Sequence, residues 1–178
     1  MTASLTVAQT GRPPWWHVAN VVFLLACVSM YFGTGWSLVL FSFPIAPKLT
    51  PETYYLQFVP QVQAATAFLT PMTIAMLVSA PLMIWTEWNT DYRWIPVVVL
   101  MAIIVATALT EKVIFPLNVE MAAGIKDQAR LTDILARWMS FNRIRVWLWT
   151  VEWVAMAAYV FMKVVRAPRL REVAECAT

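Results

Sequence analysis

The sequence predicts an all-α integral membrane protein, a four-helix bundle with an amphipathic interfacial helix before its last span. Two observations carry that prediction. Residues 18–43, 64–86 and 94–110 hold no Asp, Glu, Lys or Arg, and residues 146–162 hold only Glu152. Crossing about 30 Å of hydrocarbon at 1.5 Å per residue takes roughly 20 helical residues, so these runs, with a few flanking residues, are long enough to span. Composition agrees: the 178-residue chain is 61% hydrophobic and 13% charged, about half the charged share of a soluble domain.

The expected organisation is a tail at 1–17, a transmembrane domain at 18–165 with spans near 18–43, 64–86, 94–115 and 143–165, and a basic tail at 166–178. The first run is too long for the apolar core of a signal peptide, so it is expected to stay as the first helix. Trp15, Trp16 and His17 stand where an aromatic belt meets headgroups. Gly33, Thr34 and Gly35 are small enough to let a neighbouring helix or a ligand approach the backbone. Pro44, Pro47 and Pro51 end this helix, and the segment from Pro51 to Gln63 is expected to lie along the interface.

Pro71 and Pro81 predict kinks in the second helix. Glu87 to Arg93, flanked by Trp85, Trp88, Tyr92 and Trp94, reads as a short turn joining antiparallel helices. After the third apolar run comes the longest joint. Within it Ile125, Leu131, Ile134, Leu135 and Trp138 alternate with Lys126, Asp127, Arg130, Asp133 and Arg137, which is the pattern of an amphipathic surface helix.

Charge excludes some function classes. The net charge of +3 suits contact with anionic headgroups, and no basic run is interleaved with exposed aromatics, so nucleic acid is not an expected partner. Membrane lipid and a hydrophobic small molecule are. One histidine and two well-separated cysteines give no metal or haem ligand set, so no cofactor and no metal site are expected. His17 reads as a structural or solvated histidine. Basic residues divide almost evenly between the two sides; the cluster Lys163, Arg166, Arg169 and Arg171 beside the last span favours both termini in the cytoplasm and a cell (inner) membrane location.

Trp138, Asn142, Arg145, Trp149, Glu152 and Met156 recur at spacings of four, three, four, three and four, which places them on one helix face. Charged groups cost at least a few kcal/mol each when exposed to lipid tails, so this face turns inwards. Thr107, Glu111, Ile114 and Asn118 form a matching face on the third helix. Antiparallel order brings these faces together beside the first and third joints, where Trp36, Phe68, Trp138 and Trp149 would wall a slot for a flat apolar molecule bearing one or two oxygens. Such buried groups either pair to fix helix register or build a site, and the functional reading is the default for ionisable residues inside a membrane.

Three motifs then stand in order: Thr34, Gly35 and Trp36 on the first helix; Thr110 followed by Pro116, Leu117 and Asn118; and Trp138, Asn142 and Arg145. Over about residues 33–165 the chain resembles the anthrone oxygenase-like family of four-helix membrane proteins. The resemblance implies oxidation of an anthrone to an anthraquinone by molecular oxygen without a recognised cofactor. Trp138, Asn118, Asn142 and Arg145 carry over from its motifs; Glu111 departs from them, where a small or apolar residue is expected, which leaves the substrate open. For such chemistry Arg145 would face the developing oxyanion, Asn118 and Asn142 would orient, Glu111 or Glu152 would act as base, and the aromatic residues Trp138, Trp149, Trp36 and Phe68 would hold the substrate. The alternative from another class is a non-catalytic accessory subunit of a larger membrane complex or oligomer, since ten tryptophans suit partner contacts as well as pocket walls.

Overall fold

Helices account for the chain almost throughout because the apolar runs have no water to satisfy their backbone groups and must bond within themselves. The computed structural model describes residues 14–176, with side chains through Arg166; the polar N-terminal residues and the side chains of Arg169, Arg171 and Cys176 lie outside the described part. The helices are α1 (Trp15–Ser37), α2 (Tyr54–Glu87), α3 (Trp94–Leu109), α4 (Phe115–Ala122) and α5 (Gln128–Cys176). Among the described residues four stretches are long and apolar enough to cross a membrane, Trp15–Ser42, Tyr54–Glu87, Trp94–Ala122 and Gln128–Arg166, so the protein is a multi-pass, all-α four-helix bundle. α1 and α3 each pack against both α2 and α5, which closes a four-sided ring. Its outer surface exposes Val22, Phe23, Ile74, Val78, Met101, Ile104, Val151 and Phe161. An apolar belt of that extent belongs in lipid.

Two expectations are revised. The segment from Pro51 to Gln63 is no separate interfacial piece: from Tyr54 onward it forms the first turns of α2, with Pro60, Pro71 and Pro81 inside one helix. Burial of Tyr54, Phe58 and Val59 offsets the hydrogen bond that Pro60 cannot make. The Tyr54 hydroxyl adds a tie, donating to Met121 O at 3.0 Å and accepting from the Ile125 amide at 2.5 Å. The predicted amphipathic helix is the start of α5 itself, with Leu131, Ile134, Leu135 and Trp138 buried. Gly124, at φ +89°, makes the left-handed turn after α4 that lets α5 begin.

Two wide π turns interrupt the regular helices, Leu38–Ser42 after α1 and Thr110–Ile114 between α3 and α4. Each stands next to a proline, Pro44 or Pro116. A proline ring clashes with the carbonyl four residues back, and one extra residue in the turn relieves that clash. Both turns face the interior space described next.

At the opposite end, beside the tails and the second joint, a polar knot closes the bundle. The Glu87 carboxylate, 2% exposed, accepts hydrogen bonds from Thr90 Oγ1 at 2.6 Å, Tyr159 Oη at 2.6 Å and Lys163 Nζ at 3.0 Å, with His17 Nε2 3.1 Å away. His17 is thus a buried member of α1, consistent with the structural role expected of it, and it belongs with the bundle and not with a tail.

Candidate functional site

The inward face of α5 meets α3 and α4 through a chain of hydrogen bonds. Trp138 Nε1 donates to Asn118 Oδ1 at 2.9 Å; Asn142 Nδ2 donates to Trp138 O at 2.8 Å; Arg145 Nη2 donates to Asn142 Oδ1 at 2.5 Å; and Arg145 Nη1 donates to Thr110 Oγ1 at 3.2 Å. The guanidinium carbon lies 4.6 Å from the centroid of the Trp149 ring. Asn118, Asn142 and Arg145 therefore form one cluster, as their spacing predicts. Asn142 is fully buried and holds Arg145 from behind. The arginine is fixed by two side-chain acceptors and one aromatic face.

This cluster borders a cavity of about 480 Å³ lined by residues of all four spans. Small-molecule sites commonly measure roughly 300–1,000 Å³. Of the residues expected to serve a site, Arg145, Asn118, Glu111, Glu152, Trp138 and Trp149 line it. Glu152 is 1% exposed, and neither of its carboxylate oxygens meets a hydrogen-bond donor among the described residues; Arg145 Nε–H likewise meets no acceptor among them. Arg145 and Glu152 form no ion pair with each other. Glu111 is exposed, at the rim.

Trp36 and Phe68 are not on the cavity wall. Gly35 faces the bundle so closely that a Cβ there would stand 2.7 Å from Trp149 Cε3, and one residue further the helix has turned by about 100°. Trp36 accordingly sits on the α1–α5 seam, where its indole N–H donates to Thr150 Oγ1 at 3.1 Å. Phe68 is 57% exposed on the lipid side, while its neighbour Leu69 takes the inward position.

Residues the sequence reading missed come from α1 and α2. The Tyr31 ring tilts against Trp149 at 4.9 Å, and its hydroxyl bonds Leu69 O at 2.8 Å and the Thr73 hydroxyl. Thr66, Thr70 and Thr73 line the cavity on α2, together with Thr107 on α3 and Thr110 in the second π turn, both already named in the sequence patterns. The available signal was hydroxyl residues recurring at threes and fours through otherwise apolar runs. A second, almost wholly apolar groove of about 400 Å³ adjoins the cavity between α2 and α4, sharing Phe58, Val62, Thr66, Phe115 and Asn118. Its lining also includes the exposed Val119.

No protein-family model, curated protein or solved structure gives a significant match to this chain. The chemistry of the site therefore rests on its own geometry. A fixed arginine, two indole walls and a buried Glu152 side chain with no hydrogen-bond partner among the described residues can bind a flat, apolar molecule and stabilise negative charge on one of its oxygens.

Proposed function

We propose that this protein is a membrane-embedded small-molecule oxygenase acting on a flat aromatic ketone of the anthrone type, in keeping with the family its motifs resemble. The single observation that supports the reading best is the Arg145 guanidinium, held at the cavity wall by Asn142 and Thr110 and stacked on Trp149. In a dry, apolar enclosure a pre-positioned cation stabilises an oxyanion far more than it would in water.

The proposed reaction needs no metal to balance. A carboxylate, Glu152 or Glu111, takes a proton from the methylene carbon and leaves an enolate whose oxygen faces Arg145. The electron-rich carbon reduces molecular oxygen and forms a C–O bond; the resulting peroxide anion recovers the proton, and loss of water leaves the second carbonyl. One anthrone and one O2 give one anthraquinone and one water. Trp138 and Trp149 hold the rings, while Asn118 and Asn142 fix Trp138 and Arg145. The protein is assigned to a cell membrane with both termini cytoplasmic, on the basic cluster that follows the last span.

The test uses the purified protein in mild detergent with an anthrone, following quinone absorbance and oxygen uptake. The expected result is turnover by the parent, lost in Arg145→Leu while melting shows that variant still folded. A parent that consumes no anthrone and co-purifies stoichiometrically with other subunits overturns the proposal in favour of an accessory role.

A further inference from the structure

The groove between α2 and α4 has a buried floor and an open edge. Phe58 and Met121 on its floor are 4% and 1% exposed, whereas Val119 at its edge is 70% exposed and Gln63 and Ala67 are exposed as well. One set of side chains, Phe58, Val62, Thr66, Phe115 and Asn118, lines both the groove and the cavity. On α2, Gln63, Ala67, Thr70 and Ile74 follow at spacings of four, three and four and so share a helix face. All four are exposed; the first two line the groove and the last two the cavity, so a single seam borders both spaces. Features that bend helix axes flank this seam, Pro60 and Pro71 in α2 and the π turn Thr110–Ile114 with Pro116 on the facing side. Its outer edge lies where the uncharged run from residue 64 begins, next to the lipid-facing Phe68, hence at the boundary between acyl chains and headgroups.

We infer that this groove is the entry by which an apolar ligand passes sideways from the bilayer into the cavity. The inference rests on the flat-aromatic reading of the cavity and adds the route to it. A fused-ring ligand is held in hydrocarbon by the burial of its apolar surface, and a route through water would first have to expose that surface again. The groove avoids the exposure. Val59, Val62, Ala67, Val119 and Ala122 line it, and the Thr66 hydroxyl turns back onto its own helix, donating to Val62 O at 2.8 Å. The cavity's other exposed lining residues, Thr34, Ser37, Gln61 and Glu111, are polar and suit water.

The test plugs the edge of the groove. Ala67→Phe combined with Val119→Phe adds bulk there without touching the cavity wall, and Ala26→Phe adds the same bulk at an exposed position on α1. Each protein is placed in phosphatidylcholine vesicles, and binding and release of fluorenone, an unreactive aromatic ketone, are followed by the saturable quenching of tryptophan fluorescence after rapid mixing. A barrier on the path slows entry and exit by the same factor and leaves the free and bound states, and so Kd, unchanged. The expected result is a tenfold or greater fall in both rates in the plugged protein, with Kd within about twofold of the parent's and Ala26→Phe matching the parent. A plugged protein that fails to insert gives way to Ala67→Phe alone, in which both rates should fall at least about threefold. Unchanged rates in an inserted, plugged protein overturn the groove as the route and leave the flat-aromatic reading standing. A weakened Kd with an unchanged association rate also overturns it, since the groove would then be part of the binding site and not the way in. A parent that binds no fluorenone sinks the flat-aromatic reading itself, and the route with it.

Discussion

Asn142→Asp separates a chemical role for Arg145 from a merely structural one. The substitution keeps side-chain shape and the acceptor that receives Arg145 Nη2 at 2.5 Å, but it gives up the Asn142 Nδ2 bond to Trp138 O at 2.8 Å and places a negative charge against the guanidinium. A charge-assisted pair is roughly twice as strong as a bond to a neutral amide, which offsets the loss of one ordinary hydrogen bond worth about 1 kcal/mol. Melting in detergent should therefore stay close to the parent's. Turnover should not. An arginine already neutralised by a buried aspartate has little charge left for an oxyanion, and removal of one such stabilising donor typically lowers kcat by about 10²–10³, or roughly 2.7–4 kcal/mol of barrier. The assay is initial rate of quinone formation at saturating anthrone, alongside a thermal melt. A folded Asn142→Asp protein that turns over at the parent's rate would refute the oxyanion role and leave Arg145 as a pin for helix register.

Other outcomes follow from the same geometry. Gly35→Ala drives a Cβ to within 2.7 Å of Trp149 Cε3 and 2.9 Å of Val146 Cγ2; overpacking of this kind costs about 1–3 kcal/mol, so melting should fall and fluorescence-detected ligand binding should weaken, because Trp149 is a cavity wall. Glu87→Gln removes the charge that gathers Thr90, Tyr159 and Lys163, and hydrogen bonds to charged groups contribute about 1.5–3 kcal/mol each, so melting should drop clearly while probe affinity at the distant cavity stays at the parent's value. Glu111→Gln, at an exposed rim position, should change stability by no more than about 0.5 kcal/mol. Loss of turnover in that variant would assign the base to Glu111, and retained turnover would leave Glu152 as the base.

The bundle was legible in the sequence because a bilayer imposes two simple demands, length and apolarity, and both are local. The i, i+3, i+4 recurrence from Trp138 to Met156 likewise needed only helical periodicity, and lipid's intolerance of charge told which way that face must turn. Periodicity holds only as far as a helix stays regular, and it says nothing of what stands opposite. That Gly35 and not Trp36 meets Trp149 depends on the rotation of α1 against α5. Phe68 faces lipid and Leu69 the cavity for the same reason on α2. His17 and Glu87 lie seventy residues apart in sequence and look like ordinary interfacial residues until the start of α1 and the end of α2 meet beside Tyr159 and Lys163 of α5. The two π turns follow from prolines that sequence displays, yet the extra residue they insert is chosen by packing. Most of all, the lack of a partner depends on every neighbour at once: the sequence placed Glu152 inside the membrane, and only the assembled bundle left both its oxygens without a hydrogen-bond donor among the described residues.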